Sequence, residues 1–473
     1  MKQPQPQPIG VCERNPYRLQ YEGKPIVLLT SAEHYGAVVN RAFDYRVYLD
    51  RLMEYGLNYT RIYPGALFEP GGKFIEHNTL APKPADLLVP WARSEQPGYA
   101  LGGNKFDLER WDEAFFERLL DFIEQARIRG VIVEICFFNC QYPDTWPICP
   151  LQAANNVQGV GVGSHLDFQT LRDGPLVDAQ KRYVAEIVRR TAACANVIYE
   201  ICDEPTLMGC SSAEATRWIG ELAQTIVDAE AHLPHPHLIA QQVELGVDFT
   251  EDQRIGLITA QYIFHNEFRQ VGGPEALACY ALRHKPIELN ETAYFPIWYS
   301  GDAVAASRAE AWEFLVGGGA AFNQLNGFFT VPDPSGDTPE NLAVLSQLKV
   351  LKEFLYGFDL ETYQPQENLL RRDLLGWGTH ARAGGAPGAW AVYVHHSALK
   401  YGNVCYIVTP GAYREELVLR LPEGCFEASW VEPATGAVLL SEKFNHGGGE
   451  RTLITPEHAV DMALKVCRCT EGK

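Results

Sequence analysis

The sequence predicts an α/β fold: a (β/α)8 barrel over residues 16–362, an antiparallel β-sandwich over 363–473, and a disordered lead-in over 1–15. Three observations carry this. Short apolar runs alternate with amphipathic stretches eight times before about residue 360. The apolar runs show no inward–outward alternation, as strands buried on both faces of a parallel sheet should read. After about residue 366 the texture changes to short runs punctuated by Gly and Pro roughly every ten residues, which reads as an antiparallel sandwich. The count of eight favours a closed barrel over a doubly wound sheet, and no G-x-G-x-x-G follows the first strand.

Residues 21–24 read as a turn leading into the strand PIVLLTSAEHYG. A helix over about 44–55 follows, with Tyr45, Tyr48, Leu49 and Leu52 on one face and Gly56 as its stop. The strand LNYTRIYPG carries Arg61. The stretch from about 65 to 106 lacks periodicity and reads as a long functional loop. From Asp107 to Arg129 the pattern is helical, with Trp111, Phe115, Leu119, Phe122 and Ile123 facing inward. The strand VIVEICFFN is followed by a second long loop, whose GVGVGSH lacks the Lys-Ser/Thr of a phosphate cradle. Helices at about 177–193, 212–231, 303–316 and 340–356 and the strands NVIYEICDEP, HLIAQQV, LITAQYIFH, KPIELNE and GAAFNQLNGFF complete the alternation.

Composition narrows the function. Forty Lys and Arg against 59 Asp and Glu give a net charge of −19, and no basic patch breaks it. That excludes nucleic acid and anionic membrane as natural partners. No apolar run approaches a membrane span, and MKQPQPQPIG has no signal-peptide core, so the chain as written is expected in the cytoplasm, or outside the cell if a leader has been removed. The twelve cysteines, among them Cys136 and Cys202 in strands, read as reduced core residues, and Cys467 with Cys469 is too little for zinc. No H-x-H or H-E-x-x-H cluster points to a metal, and no cofactor is expected. A homo-oligomer stays open.

In a barrel, polar residues at the C-terminal strand ends read as the site. Taken by strand these are Glu33 and His34; Arg61; Glu134 and Asn139; Asp203 and Glu204; Gln241; Tyr262 and His265; Glu288 and Glu291; and Asn323 and Gln324. Pro205 disfavours the α region at the preceding residue, so Glu204 is expected to be extended, and Glu200, Cys202 and Glu204 share a parity and hence a face. Trp91, Trp146 and Trp298 lie in or beside the loops of that rim, as candidate aromatic walls of the site.

NVIYEICDEP resembles the acid/base signature of clan A glycoside hydrolases, especially family-5-like members, in which Asn-Glu-Pro closes the fourth strand. KPIELNE resembles their seventh strand, GLNYTRIY the second-strand segment with an active-site Arg, and AQYIFH the sixth. The resemblance runs from about residue 20 to 360, and a downstream sandwich is a familiar accessory that would brace the barrel. It implies retaining hydrolysis of a β-glycosidic bond in an oligosaccharide or small glycoside, with exo-action the expectation from the two long loops. Glu204 would be the acid/base and Glu291 the nucleophile, 87 positions apart as three βα units allow. Glu288 competes for the second role at the opposite parity. Asp203, Arg61, Tyr262, His265, His34, Glu33 and Asn139 would line the sugar site. Asp203 stands where the clan has Asn, and its carboxylate can accept but not donate. That departure suggests a different chemistry at the sugar 2-position, or a carbohydrate-binding protein on a barrel that no longer hydrolyses.

Overall fold

A computed structural model describes residues 7–244, 246–261, 284–292, 301–400 and 405–469. Eight parallel strands form one sheet: β1 (Leu28–Ala32), β2 (Tyr59–Ile62), β3 (Ile132–Asn139), β4 (Val197–Asp203), β5 (Leu238–Gln242), β6 (Leu257–Gln261), β7 (Ile287–Glu291) and β8 (Ala321–Leu325). From β2 to β8 each pairs with the next, and β8 pairs back onto β1 with Ala321 opposite Leu28 and Leu325 opposite Ala32. The last gap, between β1 and β2, is bridged by one residue, Asn58. Asn58 donates to Val27 O (3.0 Å), accepts from Leu29 N (2.9 Å), and its own N–H reaches Leu29 O (3.1 Å).

Around the barrel lie α1 (Tyr45–Glu54), α2 (Glu113–Ile128), α3 (Gly174–Thr191), α4 (Ser212–Glu230), α5 (Ala303–Val316) and α6 (Pro339–Leu355). Their starts follow the capping rule: Asp44, Asp112, Asp173, Asp302 and Thr338 each accept a first-turn N–H. No helix among the described residues is long and apolar enough to cross a membrane.

Two expectations fail in the first third of the chain. The lead-in is ordered from Gly10, where Gly10–Cys12 pairs with Asn15–Tyr21. Ile9 is fully buried among Leu28, Tyr59, Ile132, Ile198, Leu238 and Leu257, the N-terminal residues of six barrel strands, so this segment plugs the barrel floor. The helix expected from Asp107 begins at Glu113. Asn104–Trp111 is instead the second strand of a hairpin with Trp91–Pro97, so the preceding stretch is not all loop. Apolar spacing at Phe106, Leu108 and Trp111 suits either element, and the pairing across the hairpin decides.

Beyond α6 come β9 (Gln364–Pro365), β10 (Thr379–Ala386), β11 (Ala389–Lys400), β12 (Cys405–Val408), β13 (Glu416–Val431), β14 (Val438–Ile454) and β15 (Asp461–Arg468), in one antiparallel sheet of order β9-β10-β11-β15-β13-β14 with β12 on β11. The runs ELVLRLPEG and CFEASWV, separate by their Pro-Glu-Gly punctuation, form one strand: the second half of β13 pairs with β15, and its first half bonds to residues 369–371. The sheet thereby doubles over a core of Leu417, Leu419, Phe426, Trp430 and Leu464, in sandwich fashion. Cys136 and Cys202 are buried thiols, whereas Cys425 on β13 is exposed beside Cys469.

α5 joins the two parts. It is buried on every side, its polar residues Arg308 and Glu313 included. Ala305, Ala306 and Ala309 pack on Val408 of β12, and Trp312 stacks on Tyr393 of β11. Arg308 makes two bonds to Asp461 (2.7 and 3.0 Å), and Glu313 takes Tyr406, with Arg382 at 3.5 Å.

Candidate active site

The C-terminal residues of four strands meet at one end of the barrel: Asn139, Asp203, Gln261 and Glu291. Beneath them lies Arg61 of β2, fully buried. Its guanidinium bonds Glu200 through Nε (2.7 Å) and Nη2 (2.5 Å), and approaches Asp203 (3.2 Å) and Glu291 (3.6 Å). Tyr35 and Tyr63 flank it at 5.0 and 5.3 Å from their ring centres. A single cation thus holds three carboxyls from two strands.

Glu200 and Asp203 reach the same guanidinium although three residues apart. The alternation of β4 therefore slips between them: Cys202, expected on the face of Glu200, accepts from Gln169 in the loop before α3. Glu204 differs from expectation too. It is not extended but has φ +49°, a left-handed conformation that a non-glycine residue adopts at a cost of about 1–2 kcal/mol. Its N–H donates to Gln242 Oε1 at the end of β5 (2.8 Å), and the following Thr206 N–H to Glu244 (2.8 Å), which hold the turn. Tyr35, the other left-handed residue here, has φ +63° and donates to Glu291 Oε2 (3.3 Å). Strain has gathered at the two residues that set the directions of Glu204 and Tyr35.

Glu204 and Glu291 are 4 and 6 % exposed, at the rim, whereas Asp203 and Arg61 are at 0 %. Burial, and then the charge of Asp203, push the Glu204 carboxyl up to about 8, while a hydrogen bond from Tyr142 (2.9 Å) pulls it down. Glu291 is pushed well above the carboxylate range by burial and by Asp203 and Glu204, against the pull of Arg61 and His34. His34 lies over the same opening. Burial alone would lower its imidazole, but Glu69, with Glu291 and Glu33 behind it, raises it above the ordinary value. Its Nε2 meets Glu69 Oε2 at 3.0 Å, and Asn78 donates to the same carboxyl.

Other expected site residues lie elsewhere. Glu33 is fully buried and accepts from the Gly36 and Ala37 N–H groups and from Thr79, so it shapes the loop after β1 and does not face the opening. Glu288 points into the barrel, bonded by Thr259 (2.6 Å) and Tyr59 (3.1 Å), which leaves Glu291 as the rim carboxyl of β7. Glu134 also takes Tyr59 inside the barrel. Gln241 bridges to the Cys202 backbone, and Asn323 holds Tyr35 (3.2 Å) and Asn290 O (2.7 Å). Gln324 is at the rim, 5 % exposed. Trp91 is no wall: at 1 % exposure it stacks on Tyr183 in the core. Trp146, 6 % exposed, packs against Phe168 and donates to Gly163 O, pinning its own loop. Tyr262, His265 and Trp298 lie outside the described residues.

Sequence reasoning passed over Tyr35, Tyr63, Glu69, Tyr142, Gln242 and Gln261. Gln242 and Gln261 were visible as polar ends of apolar strands; Glu69 and Tyr142 sit in aperiodic segments that carry no such signal.

No family model matches the sequence, and no curated protein does. Solved structures do match in shape. A candidate glycoside hydrolase from Bacteroides vulgatus superposes with a TM-score of 0.64 at 14 % identity, over 98 % of this chain and 82 % of that one. A second structure, described only as a glycoside hydrolase, gives 0.63 at 14 % over 98 % of both chains. A family 5 glycoside hydrolase from Bacteroides vulgatus gives 0.61 at 14 %, over 98 % and 94 %. The chain has their fold. That fold, a TIM barrel with a C-terminal β-domain, is the one the clan A resemblance implied.

Proposed function

We propose that this chain is a retaining glycoside hydrolase that cleaves a β-glycosidic bond by double displacement. The observation that carries the reading is the pairing of two rim carboxyls from β4 and β7, Glu204 and Glu291, above one buried guanidinium. Retaining chemistry needs one carboxyl protonated and one ionised on either side of the scissile bond. Arg61 at 3.6 Å and the Tyr35 hydroxyl at 3.3 Å favour the charge on Glu291, while Tyr142 alone among described side-chain hydroxyls donates to Glu204. The proton the pair retains therefore resides on Glu204.

Glu204 protonates the leaving oxygen as Glu291 attacks the anomeric carbon. The Glu204 carboxylate then takes a proton from water, which releases the sugar from the Glu291 ester. The segments 65–106 and 140–170 send Glu69 and Asn78 to His34 and Tyr142 to Glu204, and loops that reach into the site support exo-action on an oligosaccharide or small glycoside. Glu204→Gln and Glu291→Gln are each expected to abolish turnover of an activated aryl β-glycoside, with the first-formed anomer of the wild-type product retained by proton NMR. Full activity in either variant overturns the assignment.

A further inference from the structure

Asp203 occupies the position from which the sugar 2-hydroxyl was expected to be read, yet it has no means of reading it. Oδ1 accepts from Gln261 Nε2 and lies 3.2 Å from Arg61 Nη2. Oδ2 accepts from Tyr63 Oη, from Asn139 Nδ2 (2.8 Å) and from Arg61 Nη1 (3.4 Å). These contacts use the roughly four lone-pair sites of a carboxylate, and no part of the residue is exposed. Four side chains from β2, β3 and β6 and the turn after β2 have closed over it.

We propose that Asp203 is a positioning residue that shares Arg61 with Glu291 and thereby sets the working pH of the Glu204–Glu291 pair, and that it does not touch the sugar. The inference rests on the glycosidase reading of that pair. Its basis is the order of distances around one cation: Glu200 at 2.5 Å, Asp203 at 3.2 Å, Glu291 at 3.6 Å. The nearer two take most of the attraction, and the charge of Asp203 repels any charge on Glu291 or on its neighbour Glu204.

Two groups work against this, His34 pulling the Glu291 carboxyl down and Tyr142 pulling Glu204 down, but the groups that face Asp203 itself leave its charge in place. Tyr35 faces Asp203 from the loop after β1, Arg61 from β2 and Tyr63 from the turn after it, and Glu134, Cys136 and Cys140 from β3 and its end. Its own strand brings Glu200, Cys202 and Glu204, the end of β5 Glu244, and β7 Glu288 and Glu291. Arg61 is the one cation in that set. An amide at 203 would keep the shape, remove one negative charge, and return Arg61 to Glu291.

The test compares the pH dependence of kcat and kcat/KM on an aryl β-glycoside for wild type and Asp203→Asn. Both limbs of the profile are expected to move to lower pH by about one unit, with KM within about twofold because no sugar contact is lost. Limbs that stay in place overturn the proposal. So does a variant whose preference for the glycoside over its 2-deoxy analogue collapses, since that marks Asp203 as a sugar ligand. Carboxyl 13C titration of the unliganded wild-type and Asp203→Asn proteins, assigned with Glu204→Gln and Glu291→Gln, needs no turnover. A Glu291 carboxyl that titrates about one unit lower in Asp203→Asn than in wild type supports the proposal, and one that stays in place overturns it. A protein that hydrolyses no glycoside refutes the proposed function, while this titration still judges the role of Asp203.

Discussion

The Tyr142 hydroxyl donates to Glu204 Oε2 at 2.9 Å, from three residues beyond the end of β3. A hydrogen bond to the ionised form lowers a carboxyl's pKa, so this contact works against the burial that pushes Glu204 up to about 8. Tyr142→Phe is expected to raise Glu204 further and to move the alkaline limb of kcat/KM up by about one pH unit. The acid limb, which belongs to Glu291, stays. A pH–rate profile on a single aryl glycoside checks both statements.

Stability should fall as pH rises from about 5 to about 8. Glu200 and Glu288, inside the barrel, are pushed up to about 7, chiefly by burial. An acid with a raised folded pKa binds more protons folded than unfolded between its two pKa values. Its stabilising contribution is therefore complete below the unfolded value near 4.5 and is lost as pH rises through about 7. Thermal melts across that window are expected to show a declining Tm, with a shallower decline in Glu288→Gln.

Asn58 is the barrel's seam. Asn58→Ala strands the buried Leu29 N–H and leaves the Val27 carbonyl only a long bond from the Tyr356 hydroxyl (3.5 Å) where β1 meets β2. Each unsatisfied buried group costs about 1–3 kcal/mol, so a loss of roughly 3 kcal/mol is expected in urea unfolding. Asn58→Asp is expected to fail as well, because a carboxylate cannot donate to Val27 O.

The Arg308–Asp461 pair between α5 and β15 is buried on both sides, and Tyr393 adds a bond to the same carboxyl (2.8 Å). Arg308→Met alone leaves that charge without its cation, and about 3–5 kcal/mol is expected to go. Arg308→Met with Asp461→Leu removes both charges and is expected to recover most of that loss in the same unfolding measurement.

What could be read from the chain alone follows from where the forces lie. The eight barrel strands are buried on both faces, so each is an apolar run with a polar end, and runs such as VIVEICFFN and NVIYEICDEP are visible without any partner. Glu204 and Glu291 were legible for the same reason, as acids terminating such runs. The hairpin Trp91–Trp111 was not, because its apolar spacing fits a helix as well and only cross-strand pairing settles it. The left-handed turn at Glu204 depends on Gln242, 38 residues downstream, and the isolation of Asp203 depends on donors from three other strands and the turn after β2. Such relationships belong to the closed barrel and to no local segment.

α5 has consequences for how this gene can be cut and rejoined. A helix without a wet side is folded only when both neighbours are present, so the C-terminal sheet is no detachable cassette. A fragment ending at α6 would turn Ala305, Ala306, Ala309 and Trp312 toward solvent and leave Arg308 and Glu313 without their counter-charges. Such a fragment is aggregation-prone by composition. Recombination with other barrels would have to carry the sheet along, and a single melting transition is expected for the two parts.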